Sequence, residues 1–397
     1  MPAIKLLVEI KEILLKFLDK YEVNKFIKLL FYDKPKPVQT SNNNNAEDNR
    51  LKMDIPAGRI NSDQVDKFIT FLENNLPDKD LLNLYLKLIQ VLIDHCELVI
   101  AEELVNKVLL KTGNSEKFKN QKACVLLAFS KIKWLQNKWE SAFHDVQEAI
   151  KIYLKDFNIL GLAKCQNMIS TIYGEQGDVI NAVKHIREGL LLLDGSNEHQ
   201  LKAMLNKNMG VMLSLKGDYH EAISYFNDAV KFYKYLGDYY FMARVCYNIA
   251  LLYSKLGENL KALEFFNNSL EIFASKHQHS KCTISFLGKA YIYYRIKEYE
   301  LAESFVDKAL ETAIKVNNRQ LIAEINGIKT HLTNGGDNIE LSEELFEVCI
   351  RLNKDFDSLS NIIDESEEIS ELNSVICEKD ISKEFLKTHL NITKKLV

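Results

Sequence analysis

Two asparagines, Asn208 and Asn248, stand forty residues apart in stretches of one design, NKNMGVMLSLKGDYHEAISYFNDAV from Asn206 and CYNIALLYSKLGENLKALEFFNNSL from Cys246. A carboxamide carries both donors and an acceptor, so a row of them can hold a peptide backbone whatever side chains that peptide bears. No catalytic chemistry is written as clearly. The sequence has no G-x-x-x-x-G-K-[ST] phosphate loop, no G-x-G-x-x-G, no H-E-x-x-H and no G-x-S-x-G, so an enzyme is not expected. His277, His279 and Cys282, in KHQHSKC, come nearest to a metal-ligand cluster. They fall where two repeats join, and no second cluster completes four ligands, so the reading is a solvated connector, with no metal and no cofactor.

Composition narrows the partners. A chain of 397 residues with 47% apolar content, 27% charged content and a net charge of −4 nominates no polyanion, and direct nucleic-acid binding is not expected. No apolar run approaches the ~20 residues of a membrane span, and Lys5, Glu9, Lys11 and Glu12 interrupt any signal-peptide core. The expectation is a cytoplasmic protein that does not engage a membrane. Its seven scattered cysteines include no CxxC and read as core residues instead of a disulfide framework.

The elements that would position the asparagines are helices. All five prolines precede residue 78, so nothing beyond forces a break in helical hydrogen bonding. Residues 1–33 carry apolar side chains three and four apart (Leu7, Ile10, Leu14, Phe17, Leu18, Tyr21), as an amphipathic helix does, and the mixed charges of its polar face favour packing on its own domain. Residues 34–60, with KPKPVQTSNNNNAEDNR, read as a flexible Asn-rich linker. Residues 61–121 read as a helical region with a degenerate repeat around Ala101. A core array spans 122–320, and a second degenerate repeat with capping helices fills 321–397.

The period is forty residues. Stepping by it through Ala142, Ala182, Ala222, Ala262 and Ala302 meets alanine every time; twelve residues earlier come Ser130, Ser170, Gly210, Ala250 and Ala290, all small. Five before each alanine lie Asn137, Gly177, Gly217, Gly257 and Lys297, and four of these are turn formers. The pattern predicts antiparallel helix pairs in which a small residue lets the alanine of the second helix approach. One such pair cannot bury its apolar face alone, so pairs stack into an all-α helical-hairpin solenoid.

Gly210, Leu213, Gly217, Ala222, Phe226 and Ala229, with Ala250, Tyr253, Gly257, Ala262 and Phe266 in the next copy, resemble the tetratricopeptide repeat family, in a variant with forty residues per repeat. That resemblance implies a superhelix with a concave groove for a peptide or protein segment. It also implies that residues two, three and six before each small position face the groove. These are Asn208 and Asn248, with Asn167 one place earlier in its copy, joined by Lys164, Lys207, Arg244 and Tyr247. Ile284 and Gly288 stand where a carboxylate clamp would need cations, so that mode is not expected. The layout of an N-terminal helical segment followed by repeats with Asn-Met-Gly and Asn-Ile-Ala in their first helices also resembles bacterial Rap-type peptide-responsive regulators. The reading is thus a non-catalytic peptide-binding regulator or adaptor. A constitutive scaffold subunit and a phosphatase-like accessory acting through the N-terminal helices remain as alternatives, and a homodimer is left open.

Overall fold

The computed structural model describes residues 9–18, 23, 62–113, 115–334 and 341–352. Among these every regular element is a helix. The Asn-rich linker and the capping helices expected near Leu372–Leu396 lie outside the described residues. Two compact units meet in sequence between Ile152 and Tyr153, inside the second helix of the first clear repeat and downstream of the expected start of the core array.

In the first unit a short helical stretch at 9–14 precedes α1 (Ser62–Asn75), α2 (Asp78–Asp94), α3 (Leu98–Thr112), α4 (Lys119–Leu135) and most of α5 (Trp139–Lys155). Leu14 and Val23 are fully buried in one core with Leu81, Tyr85, Leu88 and Val105. His95 Nε2 lies 3.0 Å from Glu9 Oε2. The described part of the N-terminal segment thus packs within its own unit, as its mixed-charge face suggested.

The second unit stacks five pairs: α6 (Ile159–Glu175) with α7 (Val179–Leu192), α8 (His199–Lys216) with α9 (Tyr219–Leu236), α10 (Tyr239–Lys255) with α11 (Asn259–Ser275), α12 (His279–Arg295) with α13 (Tyr299–Lys315), and α14 (Arg319–Asn334) followed by α15 at residues 341–352. Contacts within each of the first four pairs are denser than those between pairs, so the hairpin is the building unit. Among the described residues no helix is long and apolar enough to cross a membrane.

What ends the helices at the repeat turns is a left-handed residue. Asn137, Gly177, Gly217, Gly257 and Lys297 have φ of 60°, 77°, 92°, 78° and 66°, and Phe157, Gly237, His277 and Asn317, each twenty residues after one of these, repeat the feature between pairs. At each turn the N–H of the next residue donates back five positions, as Asp178 does to the Tyr173 carbonyl (2.9 Å) and Glu298 to that of Tyr293 (2.9 Å). This double cap satisfies carbonyls that a helix end would otherwise strand. Cys96, five residues before the buried Ala101, has φ 59°, so the degenerate copy in α2 and α3 obeys the same rule. His277 is one of these caps, and no group of three or more possible metal ligands occurs among the described residues.

The alanine series is fully buried at all five steps, and Ser130, Ala250 and Ala290 of the small-residue series are equally enclosed. A Cβ added to Gly210 would stand 2.6 Å from the Phe226 ring, a distance that forces the ring to move. Phe266 instead leans on Gly288 of the next pair, where an added Cβ would come within 2.4 Å. The aromatic at this offset therefore locks a pair internally in one copy and locks neighbouring pairs together in the next.

Lys297→Gly should raise stability by about 1 kcal/mol, because a side chain at positive φ costs about that much and glycine does not bear it. The mirror change, Gly217→Ala, should lower stability by a similar amount. Thermal melts of the two variants check both signs, and equal melting temperatures would contradict the capping geometry. Ala222→Leu should cost about 1–3 kcal/mol by overpacking a site with no free volume, measured by urea titration.

Candidate functional site

The first helices α6, α8, α10, α12 and α14 form one face of the second unit, and the residues expected to bind a peptide lie on the first three of them. Lys164, Asn167, Lys207, Asn208 and Asn248 are all half-buried, exposed enough to be reached and held firmly enough to keep their geometry. Asn208 Nδ2 donates to Asn167 Oδ1 over 2.9 Å, so carboxamides of neighbouring copies join directly. Packing of α6 on α8 brings them together, since the two residues stand 41 apart and each helix places its asparagine on the same side. Each amide keeps further donors or acceptors after making this bond. The sequence reading set Asn208 and Asn248 side by side on one face; the structure bonds Asn208 to Asn167 of the preceding copy.

Arg244 and Tyr247 are placed differently from the open-groove expectation. Arg244 is 4% exposed, with its guanidinium carbon 5.6 Å from the centre of the Phe241 ring. Tyr247 is wholly enclosed, edge-on to Phe266 at 5.3 Å, and its hydroxyl donates to the Cys349 carbonyl over 3.3 Å. Cys349 belongs to α15, so this helix lies on the very positions that the offsets assign to a ligand.

The same offsets change character along the stack. In α6 they give Lys164 and Asn167; in α12 they give Ile284 and Leu287, both buried. Tyr291 of α12 is also buried, and its ring centre lies 4.9 Å from that of Phe346 in α15. Lys255 Nζ lies 5.3 Å from the centre of the Phe346 ring. The face is therefore polar and reachable at its first two pairs, and apolar and covered at its last three. The apolar side chains of α12 were the signal for this cover: a groove left open to water has no use for isoleucine, leucine and tyrosine at its lining positions.

Beneath Asn167 the chain turns inward. Gln166, 2% exposed, places Oε1 2.6 Å from Nδ1 of the buried His185, whose ring stacks on Tyr173 at 5.5 Å. Burial, reinforced by the nearby Lys184 charge, pushes the imidazole down to about 4, so it is neutral at physiological pH. Glu188, 3.5 Å away, is shifted upward by burial. An unfolded chain takes up a proton on His185 near pH 6.5 and the folded one does not, so this group withdraws stability as pH falls from about 6.5 towards 4. Glu188 slopes the opposite way, losing stability as pH rises through its elevated value. His185→Gln should therefore flatten the acid side of the stability profile relative to the parent, as thermal melts between pH 4 and 7 would show. Parallel curves would exclude a neutral, buried imidazole.

Sequence models of the tetratricopeptide repeat match residues 240–315 and 208–239. A comparison with curated proteins finds no match. Among solved structures, the apo form of RapI is 16% identical, with 84% of this chain and 94% of that chain aligned at a TM-score of 0.55. A Rap protein complexed with competence and sporulation factor is 14% identical, with 84% and 92% aligned at 0.51. The apo quorum sensor NprR from B. thuringiensis is 17% identical, with 78% and 91% aligned at 0.51. At such identities the likeness is one of fold. Residues 208–315 thus match the tetratricopeptide repeat, and the stack that contains them has the fold of a tetratricopeptide-repeat solenoid.

Proposed function

We propose that the first-helix face of α6 and α8 binds a peptide or protein segment, and that the chain acts without catalysis as a cytoplasmic regulator or adaptor. The observation that carries this reading is the bond between Asn167 and Asn208, which fixes two carboxamides from successive copies side by side on a reachable polar face. Paired in this way they offer a ready-made ladder for the amides of an extended chain, with little side-chain entropy left to lose on binding. Lys164 and Lys207 on the same helices favour a segment with acidic groups or a free C-terminus. The solved Rap protein of similar fold holds a competence and sporulation factor, which supports peptide-responsive regulation as the form this binding takes.

The domain boundaries follow the same reading: a helical N-terminal part through about residue 121, then a repeat array that presents the face. Asn167→Ala with Asn208→Ala should leave the melting temperature within a few degrees of the parent, since half-exposed positions away from tight packing contribute little. Affinity for the partner should fall about tenfold or more, because each lost hydrogen bond in a desolvated contact costs roughly 1–3 kcal/mol. Calorimetric titration of the partner captured from host lysate measures this. An unchanged affinity in the folded double variant would move the binding site away from this face.

A further inference from the structure

Residues 341–352 do not behave as the second helix of a repeat. A forty-residue step from Ala302 lands on Ser342, which ought to be the buried alanine position, yet Ser342 is only half-buried. The buried residues are Leu341, Leu345, Val348, Cys349 and Leu352, at spacings of four, three, one and three, an apolar stripe along one side of the helix. Elsewhere in the unit a second helix packs mainly on the first helix of its own pair and on that of the next pair. By contrast, α15 reaches back over α14, α12 and α10. Its Leu345 and Val348 share a core with Ile325 of α14, Tyr291 of α12 and Tyr247 of α10, and the Tyr247–Cys349 bond spans 102 residues of sequence. Its outer side carries Glu343, Glu344 and Glu347, all exposed, and it is tied to α14 by Arg351 to Glu324 and by His331 to Glu344 at 3.2 Å.

We infer that the apolar part of the first-helix face, on α10, α12 and α14, is a receptor for an amphipathic helix, and that α15 occupies it in cis until a partner helix of the same design displaces it. The occupant seen in the structure specifies the partner's chemistry: an apolar stripe at i, i+4, i+7, i+8 and i+11 with a glutamate-rich outer side. Three features mark the contact as exchangeable. The ties beside the stripe are exposed polar contacts, one of them an Arg–Glu ion pair, and such contacts contribute little. Only twelve described residues make the contact, and their place in the array departs from the repeat that fixes every earlier helix. The lining residues of α12 are apolar whether or not α15 is present, so release of the helix leaves a surface that a second amphipathic helix would cover.

The inference rests on reading the first-helix face as a binding surface, but its test involves only the last three pairs, so its failure is separable from that of the asparagine ladder. Cys349 and Cys165 are both fully buried, one in α15 and one in α6. On exposure of the wild-type full chain to iodoacetamide under native conditions, with peptide mapping by mass spectrometry, Cys349 should be alkylated at least tenfold faster than Cys165. Equal rates would mean that α15 leaves only on global unfolding, and would overturn the proposal. The second arm is a fluorescein-labelled synthetic peptide of residues 339–354 carrying C349S, followed by anisotropy. It should bind the full chain bearing L345D and V348D saturably, and the wild type at least tenfold more weakly. A variant with the parent's circular dichroism that fails to bind the peptide would also overturn the proposal, and if the variant does not fold, the alkylation rates decide.

Discussion

Two helix backbones in each pair of the array come so close that only a small side chain fits between them, and the rest of the second unit follows from that approach. Gly210 under the ring of Phe226 is its clearest instance: a single added carbon would stand 2.6 Å from the ring. The fully buried alanines from Ala142 to Ala302 show the same economy at forty-residue steps. Close approach excludes water and gives dispersion contacts over the length of both helices. It also obliges the chain to reverse within two or three residues, and the left-handed caps at Asn137, Gly177, Gly217, Gly257 and Lys297 do this.

Repetition of that geometry sets first helices beside one another, and the face they form acquires its chemistry from residues the packing leaves free to vary. In α6 and α8 those residues are lysines and asparagines, and the packed register brings Asn167 and Asn208 within hydrogen-bonding distance. In α12 they are isoleucine, leucine and tyrosine, and the chain covers them with its own α15. One scaffold thus presents two kinds of surface: paired amides whose chemistry suits an extended segment, and an apolar bed whose chemistry suits a helix.

Fold was legible because close packing constrains residue size at fixed intervals, and size is visible in a sequence. Ala222 and Gly210 announce their places without any structure. Even the copies with no glycine at the turn kept their register, since Asn137 and Lys297 adopt the same positive φ that Gly217 does. The arrangement of the candidate face was legible only in part. Sequence offsets identified Asn208 and Asn167, but they could not say which asparagine would reach which, because a bond between copies depends on the lateral offset of two packed helices. Arg244 and Tyr247 were expected on an open surface and are buried. What covers Tyr247 comes from a segment 102 residues away, a distance over which periodicity carries no information.

The central claim is that the forty-residue pair is the unit of folding and packing, so an array shortened by one whole period should keep its structure. Glu198 and Asp238 hold equivalent places just before α8 and α10, and joining Glu198 to Tyr239 removes residues 199–238 in register. Circular dichroism and urea unfolding of this deletion should show the parent's helical signal per residue and a single cooperative transition. Removal of α9 alone, by joining Asp218 to Tyr239, should abolish that cooperativity, because two first helices would then meet without a partner between them. Equal behaviour of the two deletions, whether both folded or both unfolded, would contradict the account.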